Sequence, residues 1–80
     1  MDNIKVDKEL DCLGLYCPVP IMKTAQMIKN MNSGEVLEIT ADDIGVLKDI
    51  PAWAKTTGNE FLGSKSEGDV HKVYVRKKNK

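Results

Sequence analysis

Cys17-Pro18-Val19-Pro20 places a thiol between the turn-like Gly14-Leu15-Tyr16 and a stretch whose apolar residues recur at helical spacing. A residue before proline is pushed out of the α region, while proline's fixed φ and missing N–H suit the first helical position. The spacing therefore predicts Cys17 at a helix N-cap and Pro18 at N1. A thiolate there meets the positive pole of the helix dipole and unpaired backbone N–H groups, both of which favour the ionised, nucleophilic form. Prolines at 18 and 20 remove two of the donors that a helix start leaves unpaired, so the stabilisation expected is moderate. Their larger effect is a preset backbone that holds the thiol out without an ordering cost at each encounter.

The other groups capable of chemistry are few. Cys12 follows Leu10 in an alternating stretch and shares its inward parity, which makes it a small core residue. Its Cys-x4-Cys spacing from Cys17 differs from the Cys-x-x-Cys of thioredoxin-like sites, yet the intervening Gly turn does not forbid a bridge. One histidine, His71, shares parity with Val73 and Val75 near a strand end and is assigned no role. With no further soft ligand, no zinc set is recognisable. Met22, Met27 and Met31 follow the helix period and read as packing or scattered surface. Lys23, about one turn beyond Pro20, can add positive potential or stand as a solvated helix lysine. Asp43 and Asp49 flank a helix entry and read as caps or as partner contacts.

The elements that must position Cys17 follow from periodicity. Ile4, Val6, Leu10 and Cys12 fall on even positions against Lys5, Asp7, Glu9 and Asp11, a half-buried first strand. On the helix after Cys17, Ile21, Met22, Ala25 and Ile28 form one stripe with Met31 at its margin, opposite Lys23, Gln26 and Asn30. Asn32-Ser33-Gly34 ends it, and Glu35 to Thr40 alternates as a second strand with Leu37 and Ile39 inward. Ile50, Trp53, Ala54 and Thr57 have helical spacing. Pro51 fits N1, so this helix is predicted to start near Asp49 or Ile50 after a looser turn, and to close at Gly58 as C′. Glu60 to Glu67 is a weaker strand, Gly68-Asp69 a turn, and Val70 to Lys77 a final strand. The predicted order is βαβαββ: an α/β (α+β) two-layer sandwich, a four-stranded mixed sheet with two helices on one face.

The 80 residues suffice for one domain, 1–80, with one modest aliphatic core. Twelve basic and twelve acidic residues cancel, so no global field draws the chain to nucleic acid or an anionic membrane. Arg76-Lys77-Lys78-Asn79-Lys80 reads as a solubilising tail. The N-terminal residues hold no apolar core of signal-peptide length, and no apolar run is long enough to cross a bilayer, which predicts a cytoplasmic protein with free thiols.

Three blocks together carry a family resemblance: Leu10-Asp11-Cys12-Leu13-Gly14-Leu15-Tyr16-Cys17-Pro18-Val19-Pro20, Gly34-Glu35-Val36-Leu37-Glu38, and Asp49-Ile50-Pro51-Ala52-Trp53-Ala54-Lys55-Thr56-Thr57-Gly58-Asn59-Glu60. The chain resembles the TusA/SirA-like sulfur-carrier family, and the Gly-x-x-Cys-Pro-x-Pro element beginning at Gly14 is the most specific part of the match. The resemblance implies a fold like the C-terminal domain of bacterial translation initiation factor three. It also implies that Cys17 accepts sulfane sulfur as a persulfide and relays it to a partner protein thiol in tRNA thiolation, cofactor synthesis or sulfur metabolism, with Gly14, Pro18 and Pro20 as supporting motif. The sulfur rides covalently, so no cofactor is implied. The partners implied are a sulfur donor, a cysteine desulfurase or rhodanese-like protein, and an acceptor, DsrE-like or other, in transient complexes. The expected state is a monomer, with neither direct nucleic-acid nor membrane binding. Leu13 stands where many members have Arg. Two other functions stay open on sequence alone: a thiol–disulfide module using Cys12 with Cys17, and a non-enzymatic RNA- or protein-binding regulatory domain.

Overall fold

The computed structural model describes residues 5–16 and 18–78. The elements come in the predicted βαβαββ order: β1 (Lys8–Cys12), α1 (Val19–Lys29), β2 (Val36–Ala41), α2 (Val46–Thr57), β3 (Glu60–Glu67) and β4 (Val70–Arg76). They build one four-stranded sheet of order β1-β2-β4-β3, with β1 parallel to β2 and both β4 pairings antiparallel. The crossover from β2 through α2 to β3 thus leaves a slot that β4 returns to fill.

Alternation along β2 decides which face is dry. Leu37, Ile39 and Ala41 stand beside Val75, Val73 and His71 of β4 in the register, and these three rows turn toward the helices. Ile28, Val46, Ile50 and Ala54 close over them to make one core, which also takes in Cys12 and Met31. Each valine, leucine and isoleucine among them contributes roughly 1.5–3 kcal/mol by leaving water. Glu38 and Thr40 look out from the opposite face, half-buried among their strand neighbours.

Several boundaries and faces differ from the sequence expectation, each for a local reason. β1 starts only at Lys8, and Ile4 lies outside the described residues. Ahead of it, Asp7 donates its N–H to the Val36 carbonyl at 2.9 Å while its carboxylate accepts the Val36 N–H at 2.9 Å, so a side chain stands in for a strand partner. The buried face of α1 is rotated from the predicted stripe: Pro20, Thr24 and Ile28 are buried at i, i+4, i+8, while Met22, expected inward, is 63% exposed. A β-branched threonine, not counted as apolar, fills the central position instead.

α2 begins at Val46, three to four residues earlier than expected, and Pro51 lies inside it. The looser turn predicted before Pro51 is part of the helix, tightened by i→i−3 bonds from Val46, Leu47 and Lys48 to the carbonyls of Asp43, Ile44 and Gly45, each 3.1 Å. The proline forgoes only the bond to the Leu47 carbonyl, near enough to the helix start for the burial of Val46 and Ile50 to hold the turn. Gly58 closes the helix as expected, at φ 80°, with the Asn59 N–H reaching the Ala54 carbonyl at 2.8 Å.

The C-terminal basic run is not a tail in its first two residues. Arg76 ends β4 and pairs with Glu60 at 2.7 Å. Lys77 is buried, its ammonium donating to the Met31 carbonyl at 2.7 Å just past the C-terminal end of α1. A cation at that helix end satisfies a carbonyl and offsets the negative pole of the dipole. Asn79 and Lys80 lie outside the described residues.

Candidate functional site

Because β1 and β2 run parallel and are paired so that Cys12 stands beside Ala41, the loops that follow them leave the same end of the sheet. In open sheets with parallel strands this is the end where sites are built. The β1–α1 loop is pinned three times. Asp11 accepts the Leu13 N–H at 2.9 Å, the Cys12 carbonyl accepts the Leu15 N–H at 3.1 Å, and Asp42 of the β2–α2 loop accepts the Gly14 N–H with Oδ1 at 3.1 Å and Oδ2 at 3.2 Å. Gly14 has φ 78°, a conformation that side chains disfavour, and this turns its N–H across to the neighbouring loop.

The start of α1 differs from the predicted cap. Pro18, not Cys17, is the N-cap residue; α1 begins at Val19 with Pro20 in its first turn, and the Pro18 carbonyl accepts the Met22 N–H at 3.1 Å. Cys17 itself lies outside the described residues. Of the backbone donors at this helix start, those of residues 18 and 20 do not exist, and the Val19 N–H is engaged by the Tyr16 carbonyl at 2.9 Å. Direct N–H bonding to an anion is therefore weaker here than the sequence reading allowed. Rigidity is what the prolines supply.

The β2–α2 loop is held by its own acidic residues. Asp43 accepts the Gly45 N–H on Oδ1 at 3.0 Å and the Val46 N–H on its carbonyl at 3.1 Å; Gly45 is the N-cap residue and no side-chain hydrogen bond caps α2, so the Asp43 carboxylate closes the turn ahead of the helix instead of capping it as expected. Asp49 lies in that turn, and its Oδ2 and the Asp43 Oδ1 both close over Gly45: a Cβ built there would stand 3.3 Å from the Asp43 oxygen and 3.5 Å from the Asp49 oxygen.

Cys12 meets its expectation as a core residue: it is fully buried and its thiol is free. Burial pushes this thiol above the usual range; the Lys23 ammonium pulls it back and the Asp11 carboxylate adds to the rise. Lys23 is thus close enough to act on Cys12, and with Leu10, Gln26, Met27 and Asn30 it lines an open groove of about 290 Å³ beside β1. His71 lies on the helix side of the sheet with Nδ1 2.7 Å from the Ser66 hydroxyl. Among the described residues no cluster of three or more His, Cys, Asp or Glu can hold a metal ion, and no helix is long and apolar enough to cross a membrane.

Two features escaped the sequence reading. Asp42 directly follows β2, and a carboxylate there is placed to reach Gly14, two residues past the end of the parallel β1. Ile44, apolar in the otherwise polar loop Asp42 to Gly45, is 70% exposed, and Tyr16 is 71% exposed beside the motif. An apolar residue in a loop without a periodic partner was the available signal.

Comparison with known proteins agrees with this architecture. The family model described as Sulfurtransferase TusA matches residues 8–77. The candidate sulfur carrier protein YrkF of Bacillus subtilis (strain 168) is 50% identical over 68 residues, covering 85% of this chain but 37% of that protein, so the chain spans little more than a third of its length. YrkI of the same organism, also a candidate sulfur carrier, is 40% identical over 92% of this chain and 99% of its own length. The sulfur carrier protein TusA of Allochromatium vinosum is 45% identical over 89% of this chain and 93% of its own. Among solved structures, a SirA-like protein from Desulfitobacterium hafniense superposes with a TM-score of 0.74 at 20% identity, over 91% of this chain and all of that one, a likeness of fold.

Proposed function

The chain belongs to the TusA sulfurtransferase family of sulfur carriers, and on that premise we propose that Cys17 is the thiol that carries the sulfur. The observation that carries this reading is the burial of Cys12. The sequence holds two cysteines, and the one whose surroundings are described is sealed in the core with its thiol held protonated by desolvation. A nucleophile in sulfur exchange must be a thiolate that another protein can reach. A redox pair would also need Cys12 at the surface, so a single-thiol carrier is the better reading.

In the loading step the Cys17 thiolate attacks the outer sulfur of a donor persulfide. A new S–S bond forms at Cys17, the donor's S–S bond breaks, and the donor cysteine leaves as a thiolate. The transferred sulfur keeps its proton and no external oxidant or reductant is consumed. Unloading is the same exchange with an acceptor thiolate as the attacking group. The donor is a cysteine desulfurase or rhodanese-like protein. The acceptor is DsrE-like or another protein thiol, in the cytoplasm, serving tRNA thiolation, cofactor synthesis or sulfur metabolism. The β1–α1 loop, fixed by Asp11 and Asp42 ahead of Cys17 and followed by the fixed φ of Pro18 and Pro20, supports the role by restricting the chain on either side of that residue.

Mass spectrometry after incubation with a cysteine desulfurase and cysteine, or with inorganic polysulfide, tests it. Wild type and Cys12→Ala gain one sulfur atom, and Cys17→Ser gains none. Loading that survives Cys17→Ser, or that needs Cys12, refutes the assignment.

A further inference from the structure

Between the C-terminal halves of the two helices, at the end of the sheet away from Gly14 and Asp42, lies a cavity of about 320 Å³. Ala25 and Ile28 of α1 and Trp53 of α2 supply its apolar walls. That volume stands at the lower end of the range for small-molecule sites, roughly 300–1,000 Å³. Trp53 belongs to the core stripe as expected, but it is only half-buried, and it borders this space as well as the core.

The charge around the cavity is of one sign. Lys29 and Lys77 border it, and no acidic side chain among the described residues does. Lys77 is the unusual member, because it is buried. Its ammonium donates to the Met31 carbonyl at 2.7 Å and to the Lys29 carbonyl at 3.5 Å, and no carboxylate among the described residues pairs with it. Two carbonyls take up two of its three N–H donors, and neither carries a charge that neutralises it. Buried charges are ordinarily paired, so the cavity presents a cation short of an anion. Its polar border is already fixed. The Thr57 hydroxyl donates to the Trp53 carbonyl at 2.8 Å and accepts from the Asn59 amide at 2.9 Å, while Asn59 Oδ1 accepts the Lys78 N–H at 3.2 Å. A ligand entering there has little to reorder.

We propose that this cavity binds a small aromatic carboxylate, with its ring against the Trp53 indole and its carboxylate on the Lys77 ammonium. A flat apolar body suits a wall made of an indole and two aliphatic side chains. A single negative charge suits the polar side: one enclosed ammonium offsets one charge, whereas Lys29 is exposed and its charge is screened by water. A dianion would bring a second charge that nothing enclosed offsets. The site is separate from the sulfur chemistry assigned to Cys17, since none of its residues belongs to the loops around the motif.

Trp53 is the sole tryptophan of the sequence, so its fluorescence reports on the cavity directly. Titration of the full chain with phenylacetate is expected to give a saturable change with a Kd of about 1 mM or tighter. In nitrogen-15 spectra the amide signals of Lys29, Thr57 and Asn59 move with it, and those of Gly14 and Asp42 do not. Phenylacetamide, the neutral isostere, binds roughly tenfold or more weakly because the charge-assisted hydrogen bond is lost. Lys77→Met keeps the length of the side chain without its charge and brings phenylacetate down to the level of the amide. Lys77 also ties the end of β4 to α1, so Ala25→Met is the second variant: it fills the cavity from a half-buried helix position, leaves the ammonium in place and abolishes binding. Circular dichroism checks the folding of both, and if Lys77→Met does not fold, Ala25→Met decides. Absence of a saturable change up to about 20 mM phenylacetate overturns the proposal. So does equal affinity for the acid and the amide, or undiminished affinity in folded Ala25→Met. Tighter binding of phenyl phosphate than of phenylacetate makes a dianion the ligand and overturns it too. Cys17 takes no part in the readout, so failure here leaves the carrier reading standing, and failure of Cys17 to load leaves this one standing.

Discussion

Asp42 holds the Gly14 N–H between its two carboxylate oxygens, at 3.1 and 3.2 Å, across 28 residues of sequence. This contact joins the loop that leads to Cys17 to the loop that leads to α2, and it makes the position of one depend on the other. Gly14 can offer its N–H in that direction because it sits at positive φ, so the glycine and the aspartate work as a pair.

Asp42→Ala removes both acceptors. A hydrogen bond to a charged group in an exposed setting contributes about 1 kcal/mol, and a loss of that size is expected in urea unfolding. Loading of Cys17 from polysulfide slows several-fold, because the segment before the motif loses an anchor. Asp42→Asn keeps one acceptor oxygen and recovers most of both. Equal midpoints and equal loading rates for wild type and Asp42→Ala would show that the clamp positions nothing.

Tyr74 sets the response to alkali. Its hydroxyl donates to Glu38 Oε2 at 2.8 Å, and burial together with that carboxylate raises its pKa to about 12. The folded state therefore keeps a proton that the unfolded chain releases near pH 10, so stability is full below about pH 10 and declines as pH rises toward 12. Tyr74→Phe cannot ionise and flattens this part of the profile. Parallel profiles for the two proteins between pH 9 and 12, followed by urea midpoints at about half-unit steps of pH, would contradict the assignment.

Thr24 is the buried residue of α1 whose hydroxyl finds no partner among the described residues. Burying an unpaired hydroxyl costs about 1–3 kcal/mol, and valine has nearly the same shape without that cost. Thr24→Val is expected to stabilise by about 1 kcal/mol, raising Tm by roughly 4–8 °C in a chain of this size. A lower Tm on scanning calorimetry would mean that the hydroxyl is bonded in solution.

The parts of the fold that sequence disclosed are those where a single period and a single burial direction coincide. Leu37 and Ile39 against Glu38 and Thr40 need no knowledge of neighbours, and neither does Gly58, whose place just past a helical stripe calls for positive φ. The misreadings arise where tertiary packing outvotes a local rule. Pro51 argued for a helix start, yet burial of Val46 and Ile50 carries α2 through it. Met22 belongs to the apolar stripe that periodicity predicts, but the sheet approaches α1 along the line of Pro20, Thr24 and Ile28. Lys77 carries a charge, and only the nearby carbonyl end of α1 makes its burial tolerable. At the candidate site, the motif itself was plain from its spacing. The Gly14–Asp42 contact was not, since a hydrogen bond between two loops leaves no periodic trace in either.

The slot filled by β4 bears on when this protein acquires its shape. The strand that comes last of the four in sequence pairs with both β2 and β3, so until it emerges from the ribosome the sheet consists of one parallel pair and an unattached strand. Domains of this size fold as cooperative units. The segment around Cys17 is therefore synthesised some fifty residues before the four-stranded sheet can close. The β2–β4 and β3–β4 ladders can form only once translation has delivered β4, so the sheet is completed at the very end of synthesis of the described residues.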